Sequence, residues 1–181
     1  MYIVQRGIRL DQESKNTKFE RMLHYIVHRC GERDNVGTKV LCKLCYFSDF
    51  DHYEKNFESI TQHNYRRVEH GPIPSGYESS FKNLEESGLV ERRTRTYHGR
   101  KQYCYQSLVE PDISDFTPEE IVTIDEAIVR YGDMNGADIE EISHKDVPWI
   151  VTDDGAIIDY GTVMYRDECT SADKGLNRDG E

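Results

Sequence analysis

At Gly88 the chain changes period, and that switch constrains the fold more than any other feature. Before it, Tyr77, Phe81 and Leu84 recur at i, i+4 and i+7, one face of a helix that Gly88 terminates. Ser75 and Glu78 have capping-box spacing ahead of that helix. After the switch, residues 89–95 and 101–105 are β-favouring runs on either side of His98-Gly99. That pattern predicts a β-hairpin closed by a tight turn. A helix followed at once by a hairpin reads as a winged-helix unit.

Helices are expected on both sides of this unit. Thr17 and Glu20 form a capping box, and Phe19, Leu23, Ile26, Val27 and Cys30 follow at helical spacing, with Gly31 positioned as a left-handed terminator. A second helix runs from Thr38 to about Glu54 on a stripe of Val40, Leu41, Leu44, Cys45 and Phe47. Thr117-Pro118-Glu119-Glu120 is a helix start, with Ile121, Ile124 and Ile128 as its stripe and Gly132 at its end. A short helix over 137–144 ends at Pro148-Trp149, and residues 157–166 read as a last short helix or an extended pair. Residues 60–73 read as irregular or short strand, broken by Gly71-Pro72-Ile73-Pro74.

Hydrophobic residues make up 36% of the 181, which leaves part of the chain outside the core. The expected divisions are an N-terminal extension over 1–16, a domain over 17–167 and a mobile polar tail over 168–181. No segment is apolar enough to span a bilayer and no signal peptide is evident, so the expected location is the cytoplasm, with no membrane partner. Five cysteines, an odd number in largely apolar contexts, fit a reduced compartment.

The net charge of −11 is uneven. Residues 1–109 carry 18 Lys and Arg against 14 Asp and Glu, and residues 110–181 carry 5 against 20. An acidic chain is poorly suited to non-specific DNA binding, and its acidic half suits solubility or the steering of a basic partner.

Three constellations invite chemistry. Cys42 and Cys45, with His24 and His28, contain the elements of a Zn²⁺ quartet, but the pair lies in mid-helix and reads first as core packing. Arg92, Arg93, Arg95, Arg100 and Lys101 form a basic hairpin suited to phosphate contact, to an acidic protein surface, or to the protection of a sheet edge. The helix before it carries Glu78, Glu85 and Glu86, a poor recognition surface for DNA. Asp49, Asp51 and Glu54 beside His52 read as an exposed helix face, and His144 as a C-terminal helix cap. There is no nucleophile elbow, no phosphate loop and no Cys–His catalytic context, so no catalytic residue, cofactor or metal is expected.

Four patches in order carry a resemblance. They are Lys43-Leu44-Cys45-Tyr46-Phe47-Ser48-Asp49; Tyr65 through His70-Gly71-Pro72-Ile73-Pro74; Ser143-His144 with Pro148-Trp149; and Ile158-Asp159-Tyr160 with Tyr165-Arg166. Together they resemble the Panacea antitoxin domain, also called SocA-like. The resemblance spans about residues 17–167. It implies an α+β fold, mainly α-helical: a compact helical domain with a winged-helix-like β-hairpin. It also implies a non-enzymatic antitoxin that neutralises a cognate toxin by direct protein–protein interaction. The alternatives are a winged-helix regulator that binds DNA, with autorepression as one form, and an adaptor that delivers its partner to a protease.

Aromatic and arginine side chains dominate interface hot spots. On that ground the partner anchors expected here are Tyr65, Arg66, Arg67, His70, Tyr77 and Arg166. Gly71-Pro72 and Pro148-Trp149 read first as architecture.

Overall fold

A computed structural model of the chain describes residues 17–168 and 170–172. The element order is α1 (Lys18–Cys30), α2 (Thr38–Asn56), β1 (Tyr65–Val68), β2 (Gly71–Pro74), α3 (Tyr77–Glu86), β3 (Val90–Tyr97), β4 (Arg100–Ser107), α4 (Pro118–Tyr131), α5 (Gly136–His144) and α6 (Val147–Ile150). A 3-10 helix over Tyr160–Tyr165 follows. The fold is α+β and mainly helical, with two separate antiparallel hairpins, β1–β2 and β3–β4.

The local signals act as expected at three places. Thr17 and Thr117 each close a reciprocal capping box, with Glu20 and Glu120. His98 and Gly99 both have positive φ (47° and 74°), as a two-residue hairpin turn that matches strand twist requires. Gly88, at φ 69°, ends the segment after α3.

Other expectations are corrected. The Ser75–Glu78 box does not form; Gly76, at φ 70°, is the N-cap of α3, without a side-chain cap. Gly31 is right-handed, not left-handed. It is glycine because the Tyr105 carbonyl of β4 passes where a Cβ would stand. Pro148 does not end α5: Asp146 caps a separate turn, α6, with Pro148 in its first turn, where a missing N–H costs nothing. The segment before the 3-10 helix is also extended, and Ile157 bridges Arg66.

The largest departure is α2. Every residue from Val40 to His52 is buried, on all sides of the helix. It is the spine of the domain, with α1, α4, α5, β2 and the 3-10 helix packed around it. A helix enclosed this way must be apolar, or must carry polar groups that are each partnered. It carries Lys43, Ser48, Asp49, Asp51 and His52, all buried, so the exposed acidic face expected at Asp49 and Asp51 is not there.

Ordered contacts continue past residue 167. Thr170 and Ala172 are buried, and Ser171 Oγ and the Ala172 N–H both donate to Glu54 of α2. The rest of the expected tail, 173–181, and the extension over 1–16 lie outside the described residues.

Candidate functional site

The polar residues inside α2 define how the site is built. Lys43 Nζ donates to the carbonyls of His70 and Pro72, both at 2.7 Å. β2 is an edge strand whose Pro72 and Pro74 have no N–H, and the buried ammonium occupies its remaining acceptor at Pro72. Three residues on, Tyr46 donates to Asp146 Oδ2 at 2.7 Å. Asp49 accepts from the Thr61 N–H (2.8 Å), the Thr61 hydroxyl (2.6 Å) and the Tyr65 hydroxyl (2.6 Å). Two turns of α2 thus fix the β1–β2 hairpin, the α5–α6 junction and the loop before β1.

Arg166 closes the set from the far end of the chain. Its guanidinium grips both oxygens of Asp146 (2.8 and 2.7 Å) and bonds Asp51 and Glu54 (2.8 Å each). Trp149 Nε1 donates to the Val68 carbonyl at 3.2 Å, and the Trp149 ring is stacked by His144 on centroids 4.4 Å apart. Tyr160 stacks on Phe50 and donates to the His63 carbonyl.

The expected anchors separate accordingly. Tyr65 is fully buried, and the Arg166 side chain is 0% exposed, so neither presents the surface their choice assumed. Both are long side chains used inside the domain: Tyr65 to satisfy Asp49, Arg166 to neutralise three carboxylates. Tyr77 is half-buried on α3, away from β1–β2. Arg67 lies over the Trp149 ring (4.3 Å to its centroid), beside Asp154 and the Thr152 carbonyl. His70 is exposed in the β1–β2 turn, 3.1 Å from Glu140, which also pairs with Lys39. Arg66 is exposed and donates to the Gly155 carbonyl at 2.9 Å.

Arg66 marks a surface that the residue types alone did not reveal. Residues 155–158 run along β1 opposite β2: the Arg67 N–H bonds the Ala156 carbonyl, the Gly155 N–H bonds the Arg67 carbonyl and the Ile158 N–H bonds the Tyr65 carbonyl. Arg66 pairs with Ile73 on one side and bridges Ile157 on the other. Directly opposed residues share a sheet face, so Ile73, Arg66 and Ile157 line one outward face while Tyr65 and Ile158 turn inward. Ile157 is 48% exposed, and Ile150 and Val151, just upstream, are exposed too. Apolar side chains around an arginine, on a platform bolted to the core, have the composition of a protein interface. The one sequence signal for it was the apolar Ile157-Ile158 pair, whose alternation only pairing with β1 reveals.

The basic hairpin does not assemble one phosphate-binding face. Arg95 donates to the Arg33 and Val36 carbonyls (2.6 and 2.9 Å) and holds the α1–α2 loop. Arg92 pairs with Glu85 and Arg93 with Glu91. Among the described residues, Arg100 and Lys101 alone of the five are exposed with side chains that make neither a hydrogen bond nor an ion pair. The neighbouring α3 presents Glu78, Glu85 and Glu86, which repel phosphate.

Cys42 and Cys45 are buried in the core, where burial pushes the Cys42 thiol up to about 12 and the Cys45 thiol well above its ordinary value. Metal binding needs thiolates, which this environment opposes. His24 bonds Ser107 and His28 faces Glu110. Among the described residues, no three or more His, Cys, Asp and Glu side chains are grouped to hold a metal. No described helix is long and apolar enough to cross a membrane.

The model of the family described as antitoxin SocA-like, Panacea domain, matches residues 41–150. The chain belongs to this family. The Panacea match contains the α2 spine from Leu41 onward, both hairpins, Gly71-Pro72-Ile73-Pro74 and Pro148-Trp149. It stops short of the 3-10 helix, yet Arg166 and Tyr160 from that segment complete the interior of the matched domain. No curated protein and no solved structure matches the chain.

Two buried groups with no opposite charge bonded to them give the Panacea core a defined pH response. Burial raises Asp49 to about 6, despite its three hydrogen bonds, and lowers Lys43 to about 7. A raised carboxyl favours folding below its unfolded value near 4 and loses that contribution as pH climbs to about 6. A depressed ammonium contributes fully above its unfolded value near 10.5 and loses it as pH falls to about 7. Between them these groups place a trough in stability near pH 6–7. Urea unfolding from pH 4 to 10 checks this. Asp49→Asn should flatten the acidic limb by roughly 3 kcal/mol and Lys43→Met the alkaline limb by more, roughly 5 kcal/mol. Unchanged limbs in both variants contradict the assignment.

Proposed function

We propose that this chain is an antitoxin that neutralises a partner toxin by direct protein–protein contact through the outward face of Ile73, Arg66 and Ile157. The observation that carries the reading is the match to an antitoxin family over residues 41–150, in a domain whose shared residues are spent on architecture and leave one apolar, arginine-centred platform exposed. Arg67 and His70 flank that platform and are proposed as contacts with it. Arg166 and Tyr65 support it from beneath. Non-enzymatic action is suggested by the match to an antitoxin family. The four described cysteines are all free thiols, which supports a cytoplasmic setting.

The test is co-expression with the product of the neighbouring gene. Growth rescue and a co-purifying complex are expected. Arg66→Glu combined with Ile157→Asp should abolish rescue while leaving the circular dichroism spectrum and melting temperature near wild type, since both side chains are surface-exposed. Rescue without a complex, or full rescue by the double variant, would overturn the direct-binding reading or its placement on this face.

A further inference from the structure

A second concave surface lies away from the platform, between α3 and the β3–β4 hairpin. Its volume is about 680 Å³, and its lining includes Tyr77, Phe81, Tyr103 and Tyr105 together with Glu78, Glu85 and Glu86. Phe81 and Tyr105 stack at 4.1 Å between centroids and form the buried floor. Tyr103, 53% exposed, stands at the hairpin side, and Tyr77 at the start of α3.

The charges here do not balance. Two cations line the groove and each already has a carboxylate: Lys82 with Glu86 (3.5 Å) and Arg92 with Glu85 (3.6 Å). The third carboxylate, Glu78, stands beside the Tyr77 hydroxyl and has no cationic partner among the described residues. Glu78 and Glu85 are seven residues apart on α3, so they share one helix face, two turns apart. At one end of that face the chain already displays a pattern: the Arg92 guanidinium lies over the Tyr103 ring, 5.1 Å from its centroid, with Glu85 as its ion partner. At the other end the same components, an aromatic ring and a carboxylate, stand without their cation.

We infer that this groove receives one arginine or lysine side chain of a partner polypeptide, stacked against Tyr77 and paired with Glu78. A cation over an aromatic face gains from the ring quadrupole, and a flat guanidinium also fits a carboxylate through two parallel hydrogen bonds. The carboxylates disfavour nucleic acid here and favour a basic protein segment. The site is independent of the antitoxin reading: a basic side chain can be bound here whether or not the platform engages a toxin.

The test is an NMR titration of the full-length, ¹⁵N-labelled chain with acetyl-Gly-Arg-Gly-amide. Acetyl-Gly-citrulline-Gly-amide serves as the isosteric uncharged control. The arginine peptide should shift the amides of Tyr77 and Glu78 saturably, with a dissociation constant on the order of 1–10 mM, as one exposed ion pair and one cation–π contact allow. Citrulline should bind at least about threefold more weakly. Glu78→Gln, at an exposed position, should weaken the arginine peptide by about threefold or more while the remaining amide shifts stay native. Shifts spread over the acidic second half rather than the groove, equal binding of citrulline, or a Glu78→Gln variant that binds as wild type would each overturn the inference. So would a single-stranded oligonucleotide that shifts the groove amides in preference to the peptide.

Discussion

Replacing Arg166 with alanine is expected to destabilise the chain by about 3–5 kcal/mol, the largest effect of any single substitution considered. The guanidinium is 0% exposed, and the side chains it neutralises, Asp146, Asp51 and Glu54, are 0%, 5% and 10% exposed. Removing it leaves three carboxylates in a low-dielectric interior, with Arg130, 3.8 Å from Asp51, as the nearest other cation. Their mutual repulsion and unrecovered desolvation far exceed the 0–1 kcal/mol typical of a surface pair. Set against a whole-domain stability of about 5–15 kcal/mol, the loss lowers the melting temperature by roughly 6–20 °C. Arg166→Lys should recover only a fraction, because an ammonium cannot grip both oxygens of Asp146 while reaching Asp51 and Glu54. Lys82→Ala, which breaks an exposed ion pair, should cost less than about 0.5 kcal/mol in the same urea assay. Equal costs for Arg166→Ala and Lys82→Ala would contradict the buried-network account.

Gly71→Ala is the second large effect, at about 2–4 kcal/mol. Two independent penalties add there. The backbone sits at φ +89°, a region that L side chains rarely adopt. A Cβ would also stand 2.7 Å from Lys43 Nζ and closer still to Ser143 Oγ, neither of which is free to move. Lys43 holds two carbonyls and Ser143 is packed with its hydroxyl on the Glu140 carbonyl. Gly99→Ala separates the penalties. Gly99 has φ +74° but nothing within 4 Å of a Cβ, so only the backbone cost, about 1 kcal/mol, remains. If the two variants melt together, crowding at Gly71 has no energetic role. This explains Gly71 before Pro72: glycine fits the lysine under the hairpin, and the prolines keep β2 from recruiting another strand.

These two sites show which parts of the fold were legible in the residues. The starts of α1 and α4 and the His98-Gly99 hairpin were, because their causes lie within a few positions of each other. Thr17 meets Glu20, and Thr117 meets Glu120. The interior of α2 was not. Its polar residues are satisfied by partners far along the chain, Tyr46 by Asp146 and Asp51 by Arg166, so periodicity alone assigned Asp49 and Asp51 to solvent. The same blindness made Tyr65 and Arg166 look like interface anchors. Tyrosine and arginine are the residue types of hot spots, but also those able to reach and satisfy a buried carboxylate. Asp146, the fully buried acceptor for Tyr46 and Arg166, carries no local signal, because its partners lie 100 and 20 residues away. The four ordered patches were visible, and they identified the family. What they contribute is the assembly of a rigid platform, while the residues on its outward face, Arg66, Ile73 and Ile157, are set by the pairing of 155–158 with β1.

The most direct measurement is isothermal titration of the purified chain with the purified product of the neighbouring gene. The account predicts a saturable complex, and a loss of at least about tenfold in affinity for Arg66→Glu combined with Ile157→Asp, with the fold intact by circular dichroism. No heat of binding by the wild-type chain, or an affinity unchanged in the double variant, would contradict it.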